Sequence, residues 1–272
     1  MRRILWLALL CASSALMAHA QTKDCAALTR QALEISGVNQ YMDQLSSVAQ
    51  SSPFLAGVAG ENATQSEVAS ILQPILEKHL EPGQLRNEMQ ERMAAHCNAE
   101  QMARTIETMQ SPLVSRMLVM ETAGNAPDAR EKAERYARAI RLAPPPDSRI
   151  DAVEAIDASA GVTDHVVDMT LAFGRGVMTG AEANPDEIDQ IAQRGKDLKS
   201  QFHGGVQLSL LSTYRGATVP EMLQYAKELR VAPLHTFYGQ VNRTVLEIFE
   251  EHARAIGRDV KAAVVASRGK NP

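Results

Sequence analysis

Aromatic side chains are scarce in this chain, 4% of 272 residues, with one Trp, five Tyr and five Phe. A buried core must therefore be assembled from Leu, Ile, Val, Ala and Met, a set that suits helices better than sheets. There is no excess of basic charge either. Lys and Arg number 28 against 32 Asp and Glu, for a formal net charge of −4, and no basic stripe runs along the chain. That argues against a nucleic-acid or anionic-lipid surface. Beyond the N-terminus no run of about 18 uncharged apolar residues occurs, so no transmembrane segment is predicted. No His-x3-His pair occurs, which removes the spacing that sets two zinc ligands on adjacent helical turns.

The N-terminus is built differently. Arg2 and Arg3 precede an apolar run over 4–10, and Ala18-His19-Ala20 supplies a small-x-small pattern ahead of Gln21. Residues 1–20 read as a secretory signal peptide, which predicts a periplasmic or secreted protein after cleavage following Ala20. Cys11 would allow a lipid anchor, but lipid attachment favours a small residue before the cysteine, and Leu10 stands there. Cleavage removes Arg2 and Arg3 and leaves two of the three cysteines, Cys25 and Cys97. In an oxidising compartment these are predicted to pair, a closure worth about 4 kcal/mol on the chain-entropy argument; the alternative is two buried free thiols.

Two stretches repeat. At 218–234, Thr218 and Glu221 have the spacing of a capping box and the helix stops at Pro233-Leu234. At 98–113, Asn98 and Gln101 take the same places before Pro112-Leu113. The caps lie 120 residues apart and the prolines 121, while Gly37-Val38 and Gly161-Val162, two helix stops, lie 124 apart. An old duplication accounts for all three. The chain divides accordingly into a first helical half at 21–143, a proline-rich linker at 144–149 containing Pro144-Pro145-Pro146, and a second helical half at 150–272.

Within the first half, Thr64 and Glu67 cap a stripe of Val68, Ile71, Leu72, Ile75, Leu76 and Leu80, disturbed at Pro74. In the second, Asn184-Pro185 opens a helix expected to be interrupted at His203-Gly204-Gly205. The longest pattern begins at Leu234 and keeps spacings of three and four through Phe237, Val241, Val245, Phe249, Ile256 and Val264, as a docking helix does. The expected fold is all-α: two quasi-repeated helical halves packed as a multi-helix bundle, with a long C-terminal helix. Residues 54–60 fit no periodicity, and their apolar Phe54, Leu55 and Val58 are the candidate interface.

With the repeated helix-Pro-Leu corner, the Gly-Val landmark, Asp147-Ser148-Arg149 after the triple proline and the signal peptide, the chain resembles the bacterial secreted, all-helical family catalogued only as a domain of unknown function, here in two tandem copies. The resemblance covers most of the mature chain. It implies a helical fold and an envelope location, and brings no catalytic or binding residues with it.

The chemistry-bearing residues are scattered. Met89, Met93, Met102, Met109, Met117 and Met120 lie near His96 and Cys97, a set that soft copper ligands would draw on, but methionines at helical spacing also serve as adaptable core filler. His79, His165, His203, His235 and His252 do not cluster. Asp164, His165 and Asp168 place a carboxylate on the helical face of an imidazole, which would orient a base, yet no nucleophile is tied to them. Gly174-Arg175-Gly176 and Gly180 lack the spacing of a phosphate loop and suit close helix packing or a helix break. Asn62 and Asn242 fit the glycosylation pattern, the latter inside a helical stretch. No residue is assigned to catalysis, to a metal or to a cofactor.

The reading that follows is a non-catalytic envelope protein that binds a partner protein, peptide or apolar ligand in a groove between its halves. The alternatives are a hydrolase whose site forms only in three dimensions, from His165, Asp168, His203 and a serine or glutamate, and a copper-binding protein.

Overall fold

The computed structural model describes residues 24–50, 65–124 and 129–268, and among them every regular element is an α-helix. The first half contributes α1 at 24–35, α2 Val38–Gln50, α3 Gln65–His79, α4 Pro82–Ala95, α5 Ala99–Met109, α6 Pro112–Gly124 and α7 Ala129–Leu142. The second contributes α8 Asp147–Ala160, α9 Val162–Gly180, α10 Pro185–Gln193, α11 Gly195–Thr213, α12 Val219–Arg230 and α13 Leu234–Arg268. They pack as one bundle closed by the long C-terminal helix. Residues 1–20, Asn62, Thr64 and the apolar Phe54, Leu55 and Val58 lie outside the described residues.

Local chemistry fixes where the helices begin. Thr218 accepts from the Glu221 amide while the Glu221 carboxylate accepts from the Thr218 amide, a complete capping box. Asn98 accepts from Gln101 N at 3.0 Å, and Asn184 from Asp186 N ahead of Pro185. Gly37 and Gly161 both take left-handed backbone, φ 75° and 66°, at the α1–α2 and α8–α9 corners, a conformation that a Cβ disfavours. Cys25 and Cys97 are paired with their Cα atoms 5.8 Å apart, which ties α1 to the α4–α5 corner.

Two boundaries differ from those expected. α11 runs unbroken through Gly204 and Gly205. Both are exposed with open space where a Cβ would stand, and Val206, Leu210 and Leu211 anchor the far side of the helix, so packing overrides the cost of glycine. The chain breaks instead at Arg194. The proline-rich linker is also shorter than predicted, because α8 begins at Asp147 directly after an extended Pro146. Pro74, by contrast, is carried inside α3 without ending it.

The longest helix, α13, crosses both halves. Its apolar seam of Val241, Val245, Ile248, Phe249, Ala253, Ile256 and Val260 is buried, chiefly against α9 and also against α3, α4, α5 and α12. Phe173 and Phe249 stack with centroids 4.8 Å apart at the crossing. Gly176, Gly180 and Gly257 sit where the two backbones touch: a Cβ on any of them would overlap Ala253, the Arg254 carbonyl or the Val177 carbonyl. Of the glycines singled out in sequence, Gly176 and Gly180 therefore serve close packing. Charged partners line the wet edge, with His79 Nε2 at 2.8 Å from Asp259, His252 Nε2 at 2.9 Å from Glu88, and Arg92 bridging Glu88 and Glu251.

The methionines also go to the core. Met89, Met93, Met109 and Met117 have no exposed surface, Thr244 donates to the Met93 sulfur, and the Cys97 sulfur is bonded to Cys25 while His96 faces solvent.

Candidate functional site

A carboxyl is turned inward where the apolar stripe of α6 should continue. Val114, Met117 and Leu118 are buried, and Glu121, four residues after Met117 and three after Leu118, falls on the same face. Its Oε1 accepts hydrogen bonds from two phenols, Tyr214 OH at the end of α11 and Tyr225 OH on α12, the latter at 2.7 Å. The two rings stand 6.2 Å apart, tilted by 58°. A third phenol, Tyr238 on α13, lies close enough for its ionisation to feel Glu121; its buried hydroxyl sits beside that of Tyr225 and makes no well-aligned hydrogen bond among the described residues.

The corner between α11 and α12 that presents Tyr214 is held by two arginines. Arg149, the last residue of the Asp147-Ser148-Arg149 run after the triple proline, donates to the carbonyls of Ala217 at 3.0 Å and Tyr214 at 2.7 Å. Arg116 donates to the Gly216 carbonyl at 2.8 Å and pairs with Glu221 of the capping box. The tyrosines are thus placed by rigid elements on three sides.

These groups line a cavity of about 270 Å³. Ile156, Val162, Leu210 and Leu229 form its apolar wall; Ser209, Thr213, His165 and Asn242 add polar atoms. Among the described residues neither Lys nor Arg lines it. Burial pushes the Glu121 carboxyl above the ordinary glutamate value, against the two phenol bonds that pull it down. The same burial, with Glu121 beside them, pushes Tyr214, Tyr225 and Tyr238 well up. Burial lowers His165 to about 4, so its imidazole is neutral at pH 7. A neighbouring cavity of about 240 Å³ between α6, α7 and α11 shares Gly124, Ser209 and Thr213 with this one, and no acid lines it among the described residues.

Tyr41 and His165, each four residues beyond Gly37 and Gly161, meet, with the Tyr41 hydroxyl 3.2 Å from His165 Nε2. Glu121 and Asn242, which stand equally far beyond Pro112 and Pro233, both line the cavity.

The other predicted groups are not drawn in. Asp164 pairs with Lys199 at the surface and Asp168 is exposed, so the ring partner of His165 is Tyr41 and not a carboxylate. His203 lies apart, 3.3 Å from Glu154 and 4.0 Å from Asp157. Among the described residues these three form the one group of His and carboxylates with ligand atoms within 4.8 Å of one another. Asp157 is already engaged as the cap of α9, accepting from Thr163 N at 2.8 Å and Thr163 Oγ1 at 2.6 Å, and Gln207 donates to Glu154. Asn242 faces the cavity and Thr244 is buried, which closes that sequon to a glycan. Glu121 itself escaped the sequence reading, although an acid on a Met117-Leu118 stripe is the signal that marks it.

No protein-family model matches the chain, and comparisons with curated proteins and with solved structures return no match.

Proposed function

We propose that this is a secreted or periplasmic protein that binds a small molecule, without transforming it, in the Glu121 cavity between its two helical halves. One observation carries the reading: a carboxyl, Glu121, stands in the wall of a largely apolar cavity of about 270 Å³. Holding a carboxyl among apolar side chains costs free energy unless it is hydrogen-bonded, and cores normally close such spaces. The size suits a small ligand better than a peptide segment. Catalysis has less support. His165 shares its Nε2 with Tyr41, and among the described residues no hydrogen bond joins it to Ser209 or Thr213, the aliphatic hydroxyls of the same cavity.

The disulfide and the lack of a membrane-spanning helix among the described residues agree with export. N-terminal sequencing of the exported protein should begin at Gln21. For the ligand, a fragment screen by thermal shift on the mature protein should return small amphipathic binders. Ser209→Trp, at the exposed rim, should abolish their effect while leaving the unliganded melting temperature in place. A blank screen, or binders indifferent to Ser209→Trp, would overturn the reading.

A further inference from the structure

Resting on that reading, we infer that the cavity selects a small organic amine, bound as its ammonium ion to Glu121 with its hydrocarbon part against Ile156, Val162, Leu210 and Leu229. The charge inventory is the first argument. Among the described residues the lining contains one acid, no Lys and no Arg, so a carboxylate or phosphate would enter with no counter-charge and against Glu121. His165, neutral through burial, does not alter that balance.

Hydrogen-bond valence is the second. Both phenols donate to Oε1, and among the described residues no donor reaches Oε2. The carboxylate therefore has acceptor capacity to spare, and an ammonium group brings three donors and no acceptor. A purely apolar ligand would leave Oε2 without a donor, and an alcohol brings a single donor. The third argument is the wall itself. Tilted tyrosine rings present electron-rich faces, which attract a cation near their centroids. A bare metal ion fits less well, since one carboxylate among neutral phenols falls short of the three protein ligands that even open zinc sites use.

Three probes of one shape separate the outcomes: cyclohexylamine, protonated at neutral pH, cyclohexanol and cyclohexanecarboxylate, titrated calorimetrically into the mature full-length protein. The amine should bind at least about tenfold more tightly than the alcohol, the gap expected when a hydrogen bond gains a charged partner, and the carboxylate should not bind. Glu121→Gln should erase the preference, and Asp168→Asn, which removes a surface acid, should keep it. Because Glu121→Gln can disturb the fold, the wild-type protein supplies a second measurement: the amine should weaken by about threefold or more between pH 7 and pH 5, as the Glu121 carboxyl gains its proton, with little effect on the alcohol. Alcohol or carboxylate binding as tightly as the amine would overturn the ammonium assignment and leave the cavity reading standing. Binding by none of the three would also overturn it, and the fragment screen then decides the cavity reading separately.

Discussion

The two ends of α13 are built by opposite rules. Around Gly257 the helix lies so close to α9 that neither backbone leaves room for a methyl group. Around Tyr238 and Asn242, on the same helix, there is an open cavity and a hydroxyl without a partner. The first end is explained by folding, because close approach of two helices maximises dispersion contact and needs glycine. The second is not, and residues that folding does not explain are where a ligand is to be sought.

Glycine substitutions test the contrast most severely. Gly257→Ala would press a Cβ onto the Val177 carbonyl and force the helices apart, and should destabilise by about 4 kcal/mol in urea unfolding. Gly239→Ala, nearer the cavity end, meets open space and is exposed, so it should stabilise the same helix by about 1 kcal/mol. Equal effects at the two positions would erase the distinction between the ends.

Glu121→Ala should come next, at about 3 kcal/mol, because two buried phenols lose their acceptor together. Glu121→Gln keeps an oxygen in place and should cost about 1 kcal/mol, visible in the same assay. A loss no larger for alanine than for glutamine would mean that the phenols find other partners.

Much of this was legible beforehand, because it rests on local chemistry. The Thr218–Glu221 box, the glycine stops at Gly37 and Gly161, the Cys25–Cys97 pair and the long seam from Leu234 each need only neighbouring residues or one compartment argument. What misled was propensity without packing: Gly204 and Gly205 resemble a break, yet Leu210 and Leu211 on the far face hold α11 together. The site was illegible for a different reason. Glu121, Tyr214, Tyr225 and Tyr238 come from four helices, and the methionine and histidine patterns that stand out in sequence belong to the core and to surface ion pairs. One thread was available, since extending the offset between Pro112 and Pro233 forward pairs Glu121 with Asn242.

Two titrations inside the cavity region pull stability in opposite directions. Burial raises Glu121 above 4.5, so the folded protein holds that proton more firmly than the unfolded chain. The stability it adds is complete below pH 4.5 and is lost as pH rises through the folded value. His165 is lowered from 6.5 to about 4; its contribution is complete above 6.5 and is lost as pH falls toward 4. Urea midpoints measured across this range should show wild type losing ground to Glu121→Gln as pH rises, and losing ground to His165→Asn as pH falls. Parallel curves for either pair would show that the group is as solvated folded as unfolded.

The smallest expected effect is the most informative about the open end. Tyr238→Phe removes a hydroxyl that has no partner, so the free protein should lose nothing and should gain up to about 1 kcal/mol, read as a small rise in melting temperature. The ring still packs edge-on to Phe237, with centroids 5.3 Å apart, which keeps the hydrophobic contribution intact. A loss of about 2 kcal/mol would show that the phenol is already satisfied in the free protein, and the cavity would then close on itself as ordinary core. A neutral or stabilising result leaves a buried hydroxyl that costs the fold something, in contrast to the close-packed end at Gly257.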